Sequence, residues 1–187
     1  MFIIAGCNGS GKTTASFTIL PEIIECREFV NADEIARGMS PFQPEKVAIQ
    51  AGKIMLNRIN ELISNGVDFA FETTLSTQSY LRTIEFARRN NYKIYLLFLW
   101  LESVDLAIER VFLRVKNGGH YIHESIIRRR YERGLQAFFM KFRYAVDNWL
   151  FVDNSKNPFV LIAEGGQHEI EIHHRNDLWQ LLNKQYS

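Results

Sequence analysis

The chain has 187 residues, 47% of them hydrophobic, and its 22 basic and 21 acidic side chains leave a formal net charge of +1. That length supports one well-buried core, and the near-zero charge excludes a global field drawing the protein to nucleic acid or an anionic membrane. Its two cysteines, Cys7 and Cys26, have no metal-ligand spacing and imply no disulfide framework, which fits a reducing cytoplasm, and no apolar run approaches the length of a membrane span.

Short apolar runs alternate with longer amphipathic segments along the chain. Strands are predicted at Phe2–Ala5, Glu28–Asn31, Val67–Glu72, Lys93–Leu101 and Trp149–Asp153, the run YLLFLWL reading as a strand buried on both faces. Helices are predicted at Lys12–Leu20, Glu45–Asn65, Thr77–Asn90, Val104–Lys116 and Glu124–Asp147. In the helix from Glu45, Val47, Ile49, Ile54, Met55, Ile59, Leu62 and Ile63 recur at roughly helical spacing, and Asn65-Gly66 supplies a stop. Such alternation calls for a five-stranded parallel sheet covered by helices, with expected order 2-3-1-4-5. The rest of the chain, from about residue 156 to 187, reads as a β-hairpin turning at Gly165-Gly166 and a short closing helix, NDLWQLL. No linker or repeat divides the chain, so a single domain over 1–187 is expected, with protection of the sheet edge as the hairpin's default role.

The strongest chemical signal is GCNGSGKT, Gly6 to Thr13, which fits the phosphate-loop pattern G-x-x-x-x-G-K-[ST] between a strand and a helix. Glycines let backbone N–H groups turn inward around an anion, the helix N-terminus adds its dipole, and a lysine reaches the terminal phosphates. Gly6, Asn8, Gly9, Ser10, Gly11, Lys12, Thr13 and Thr14 are therefore the candidate binding residues for ATP or GTP, with the Thr13 hydroxyl as a Mg²⁺ ligand. No guanine-reading N-K-x-D follows a strand, and the run VDFAFETT ends in Glu72 where a motor would place an Asp for water and Mg²⁺. A kinase needs a carboxylate beside its acceptor hydroxyl. Asp33, just past the second strand in FVNADEIA, falls on the sheet edge that carries the phosphate loop. It is the candidate base, with helix capping as its structural alternative. Glu34 reads as a first-turn helix carboxylate. Glu72, Thr73 and Thr74 end the third strand and would line the crevice, groups suited to reading a polar acceptor or to ordering Mg²⁺ through water, with capping of the next helix as the alternative for the threonines.

Cations come from ERVFLRVKNGGHYIHESIIRRRYERG. A helix–loop–helix of this kind, hinged at Gly118-Gly119 over about residues 114–130, suits a lid that excludes water and neutralises the transferred phosphate. Arg110 and Arg114 share one helix face, and Arg129 and Arg133 share another, with Arg128 and Arg130 expected to point elsewhere. His120 is a candidate donor to the substrate. Nearby Glu102, Asp105, Glu109, Glu124 and Glu132 compensate the arginines, which makes nucleic-acid binding a weak reading.

In their order, GCNGSGKTT, NADEIA, FETTLS, RVKNGGH and RRRYERG resemble the zeta-toxin-like family of P-loop kinases, over roughly Met1 to Asn154. The resemblance implies a nucleotide-kinase-like fold and phosphorylation of a hydroxyl of UDP-N-acetylglucosamine with ATP or GTP and Mg²⁺. By motif it makes Lys12 the phosphate-loop lysine, Thr13 the Mg²⁺ ligand, Asp33 the base, Glu72 a substrate-side carboxylate, and Arg110 or Arg114 a phosphate clamp. The family's second clamp arginine lies in the lid loop, where this sequence has GGHYI, so Arg128 or Arg129 is expected to substitute. The helical extension through which the family meets its antitoxin does not precede the loop, so kinase chemistry on a small hydroxyl substrate is expected ahead of an antitoxin partner. A polynucleotide 5′-hydroxyl kinase and a nucleotide-dependent binding module remain as alternatives.

Overall fold

The structure, a computed structural model, describes residues 1–22, 25–119, 121–167 and 169–187. Five strands pair in parallel: β1 (Phe2–Ala5), β2 (Glu28–Val30), β3 (Phe69–Thr73), β4 (Tyr95–Trp100) and β5 (Asn148–Asp153). Their order is β2-β3-β1-β4-β5, as the alternation predicts. The hairpin strands β6 (Val160–Gly166) and β7 (Glu169–His173) extend this sheet to seven, β6 pairing antiparallel with β5 and leaving β7 at the edge. The hairpin is thus part of the sheet. Its glycines do not make the turn, because both lie within β6, where flat backbone is needed: a Cβ on Gly165 would meet the Trp149 indole at 2.8 Å.

The helices are α1 (Lys12–Glu22), α2 (Ala32–Met39), α3 (Ala48–Ser64), α4 (Ser79–Arg89), α5 (Val104–Lys116), α6 (Glu124–Ala137), the short α7 (Arg143–Ala145) and α8 (Asn176–Tyr186). Two boundaries differ from the periodicity. Pro44 starts a separate 3-10 turn, Pro44–Val47, before α3, and Ile49 and Ile54 point outward at 82% and 41% exposure while Met55, Ile59, Leu62 and Ile63 are buried. The long predicted helix after Glu124 ends at Ala137 and passes through a π-helical turn, Phe138–Phe142, which brings Phe138, Phe139 and Phe142 all inward.

Strand residues alternate between two unequal cores, as the period of two requires. Ile3 and Ala5 of β1, with Leu96, Phe98 and Trp100 of β4, face the larger core beneath α3–α6 and α8, whereas Ile4, Leu97 and Leu99 face a smaller one under α1. YLLFLWL is not buried throughout: Tyr95 is 38% exposed and Leu97 is only partly buried. Beneath α8 the larger core is aromatic: Trp179, 1% exposed, stacks on Trp149 at 5.2 Å and lies 5.0 Å from Phe139 and 5.6 Å from Phe151, centroid to centroid. Both cysteines are free and buried. Cys7, directly after β1, belongs to the larger core, and burial pushes its thiol up to about 11 against the pull of the Lys12 ammonium.

Two outcomes are expected. Trp179→Ala should cost about 3–5 kcal/mol in urea unfolding, the range for deleting a buried aromatic; a loss below about 1 kcal/mol would show that α8 is an appendage to the sheet. At pH 8 only about a thousandth of the Cys7 thiol is ionised on that shift, so iodoacetamide should label Cys7 in urea and leave it unmodified in the folded protein, read by mass spectrometry.

Candidate active site

The carboxyl ends of β1, β2 and β3 place three chain segments on one edge of the sheet. Register fixes this: Ala5 at the end of β1 pairs with Thr73, and Ile4 pairs with Glu72, while Val30 of β2 pairs with Phe71. Glu72 is therefore held beside the start of the phosphate loop by backbone pairing alone, and Asn31 follows one residue after β2 on the same edge.

Gly6–Gly11 carry the chain from β1 into α1. Gly9 and Gly11 hold φ of +84° and +87°, and a Cβ on either would strike the Ala107 carbonyl or the Asn154 amide at 2.5 Å. Only glycine supplies both the left-handed backbone and the close approach of α5 and the post-β5 loop. Asn154 braces the loop, donating from Nδ2 to the Ser10 carbonyl at 2.8 Å. Ser10 is fully buried and its hydroxyl has no partner among the described residues. Lys12 is buried at the first position of α1, its Nζ donating to the Cys7 carbonyl at 2.8 Å and lying 3.5 Å from Glu72 Oε1.

Glu72 is the hub of this edge. Its Oε2 accepts from the Thr13 hydroxyl at 2.8 Å and from Asn31 Nδ2 at 3.0 Å, while Oε1 faces Lys12. The substrate-side role expected from resemblance therefore meets a carboxylate set against the phosphate loop itself, beside the Thr13 hydroxyl. Asn31 also caps α2: its Oδ1 accepts from the Asp33 N–H at 2.8 Å. The capping role offered for Asp33 belongs to Asn31, because Asp33 already lies inside the first turn. Asp33 instead borders two cavities.

The larger cavity, about 980 Å³, runs from the phosphate loop along α2 and under the α5 end, and Asn8, Gly9, Gly11, Lys12, Thr13 and Thr14 form its floor. The smaller, about 190 Å³, lies between α2 and the β3–α4 connection and is lined by Thr73, Thr74, Ser76, Thr77, Tyr80 and Arg130. Asn8, Lys12, Asp33 and Glu72 line both. Thr73 is buried and its hydroxyl accepts from the Leu75 N–H, supporting the positive φ of 51° at Leu75, so its role is largely to shape the turn. The Thr74 hydroxyl pairs with that of Ser76 at 2.9 Å.

The arginines separate. Arg110 is half-buried in the larger cavity and donates to the carbonyls of Asn154 and Ser155 at 2.9 and 2.8 Å; Arg114, one turn on, is exposed at the same wall. Arg128 lies on the outer surface, bridged to Asp105 and Glu124, and lines neither cavity; Arg129 and Arg133 are exposed. Of the α6 arginines, the one that lines a cavity is Arg130, whose Nη1 donates to Asn8 Oδ1 at 3.0 Å. Helical spacing contained the signal: Ile127, Tyr131, Gly134 and Leu135 are the buried stripe of α6, and 130 lies three after the first and four before Gly134. Counting arginines against one another hid this; counting them against the apolar stripe reveals it. His120 lies outside the described residues. Gly118 and Gly119, expected as the hinge, border the larger cavity beside Tyr121.

Similarity to known proteins agrees with this architecture. The chain matches the Zeta toxin family over residues 1–165. It is 32% identical to an uncharacterized protein of Haemophilus influenzae over 127 residues, covering 67% of this chain and 88% of that protein. In structure it is similar to a chain of the AvrRxo1-ORF1:-ORF2 crystal structure with ATP, at TM-score 0.77 and 14% identity; the match covers 97% of this chain, which spans 62% of that one. A structure from the PezAT toxin–antitoxin system of Streptococcus pneumoniae matches at TM-score 0.66 and 16% identity, over 97% of this chain and 77% of that one. The fold is that of the P-loop kinases. With a phosphate loop in place at the strand edge and a match over most of its length, the chain belongs to the zeta toxin family.

Proposed function

We propose that this protein transfers the γ-phosphate of ATP to a hydroxyl group of a small substrate. One observation carries the reading: two cavities of different size meet at Asn8, Lys12, Asp33 and Glu72, so phosphate-loop residues and two carboxylates together form their shared boundary. The larger cavity, at the upper end of the range for small-molecule sites, suits the triphosphate. The smaller, lined by hydroxyls and an arginine, suits the reacting end of a polar acceptor. At about 190 Å³ it falls below that range, which favours a single sugar-sized group over a polynucleotide end.

The chemistry follows from the residues. Asp33 takes the proton from the acceptor hydroxyl, whose oxygen attacks the γ-phosphorus, and the bond to the β–γ bridging oxygen breaks to leave ADP. Lys12 neutralises charge on the transferred group, and the loop amides hold the phosphates in line, since phosphoryl transfer depends chiefly on positioning and charge stabilisation. The loop fits such a ligand: its glycines take left-handed conformations and the Ser10 hydroxyl is buried without a described partner. The Thr13 hydroxyl and the Glu72 carboxylate, 2.8 Å apart, are hard oxygen donors suited to holding Mg²⁺ directly or through water. Bound there, Mg²⁺ would neutralise phosphate charge. Arg110 is fixed by two carbonyls, which leaves Arg114 the more available of the two as a clamp from the cavity wall.

UDP-N-acetylglucosamine is the first acceptor to test, on the family likeness. An antitoxin-like partner also enters the proposal, because the pneumococcal relative comes from a toxin–antitoxin system. The two free, buried cysteines suit a reducing, cytoplasmic setting. No described helix is long and apolar enough to cross a membrane.

Incubation with labelled ATP and a panel of sugar nucleotides, nucleosides and short oligonucleotides should transfer label to one small hydroxyl compound. Lys12→Ala should abolish transfer. Asp33→Asn leaves the Asn31 cap in place and should retain ATP binding while lowering kcat by about 10²-fold or more, the scale of acid–base effects. Turnover at the wild-type rate in Asp33→Asn would remove the base assignment.

A further inference from the structure

We infer that this protein pairs with a second copy of itself through the outer edge of β7, strand against antiparallel strand, about a two-fold axis at Glu171. The inference stands apart from the phosphate-transfer reading. β7 ends the seven-stranded sheet, and no strand lies beyond it among the described residues. An edge strand offers its unpaired N–H and C=O groups to any chain that can add to it, and proteins commonly blunt such edges with Lys or Pro. The strand Glu169–His173, EIEIH, has neither. Its side chains divide by face. Glu171 lies 3.6 Å from Arg143 Nη1, and the His173 ring lies 5.4 Å from the Trp179 ring, so both are on the α8 side. Ile170 and Ile172 therefore point to the opposite side, where they are 89% and 53% exposed. The smaller core on that side reaches Val152 and Leu161, and neither core includes the two isoleucines.

The pattern of β7 selects its own copy as the partner. Residues opposite one another in an antiparallel pair point to the same face, so keeping the two α8 sides together sets Ile against Ile and the acids and imidazole against each other. Centred on Glu171, the pairing opposes Ile170 to Ile172 twice and Glu169 to His173 twice, joining apolar to apolar and acid to imidazole. Centred on Ile170, it would oppose Glu169 to Glu171 twice. Centred on Ile172, it would set Ile170 against His174, whose Nε2 is already held by Glu164 at 2.8 Å. The one like-charge contact, Glu171 with its copy, is offset in each chain by the buried Arg143 and by His173 Nε2 at 3.2 Å. On the isoleucine face, Leu150 is exposed and in register with Glu164, and Glu164 with Ile172, so the apolar surface resumes on β5. Two five-residue strands make a small interface beside the standard of about 1,600 Å², so association in the micromolar range is expected.

Sedimentation equilibrium across the micromolar range should show the wild-type chain passing from monomer to dimer. Ile170→Lys and Ile172→Glu should each weaken the dimer about tenfold or more, because each sets a charge against an isoleucine at two symmetric places. Both side chains are exposed, so both variants should unfold at the wild-type urea concentration, which separates lost pairing from a lost fold. Mixed in equal amounts, the two variants should associate again, since one pair then joins opposite charges while its symmetry mate joins the native isoleucines. A wild type that stays monomeric throughout overturns pairing with a second copy, even where a different chain binds this edge. Variants that associate as tightly as the wild type place the contact elsewhere and overturn it too. A mixture no tighter than either variant alone overturns the register at Glu171, and the inference with it.

Discussion

The parallel pairing of β1 with β3 is the constraint on which the site depends. Because Ile4 lies opposite Glu72, the end of one strand starts the phosphate loop just where the other delivers a carboxylate. Glu72 then gathers Lys12 and Thr13 from the start of α1 and Asn31 from the cap of α2 around two oxygens. Buried ion pairs contribute little net stability, since desolvation offsets their attraction. This one serves to orient: the lysine is drawn toward the loop, the threonine toward the carboxylate, and the asparagine that caps α2 is tied to the same point.

A second layer of positioning comes from the far side of the sheet. The larger core, with its aromatic cluster under α8 and the π-helical turn that turns three phenylalanines inward, gives α6 a fixed bed. From that bed α6 reaches the β3–α4 connection through Gly134 and the end of β4 through Tyr131. Residues far from the phosphate loop in the chain thus decide which arginine meets it. The C-terminal hairpin belongs to this support: it widens the sheet past β5 and, with α8, closes the larger core.

Much of the candidate site was legible because its signals are local. GCNGSGKT needs only its own glycines and the following helix, and its φ values bear out the reason glycines stand there. Asp33 was legible as a strand-end carboxylate, although Asn31, two residues earlier, makes the cap; both residue types cap well, and only the helix start decides between them. Glu72 was visible as a strand-end acid, but its partners were not, because they come from the start of α1 and the cap of α2. Ile49 and Ile54 show the opposite limit: apolar spacing placed them on the buried stripe of α3, and the packing left them outside it.

The sequence by itself determined the class of the fold, the order of the parallel strands and the nature of the phosphate loop, because hydrophobic period, connection length and glycine placement act over a few residues. Only the tertiary structure decided that the hairpin joins the sheet, that Glu72 faces the loop, and that α6 lies close enough to the loop for Arg130 to reach Asn8. Those outcomes depend on strand register and on how closely one backbone can approach another at Gly134 and Gly165. Such contacts join residues distant in the chain, and no local pattern encodes them.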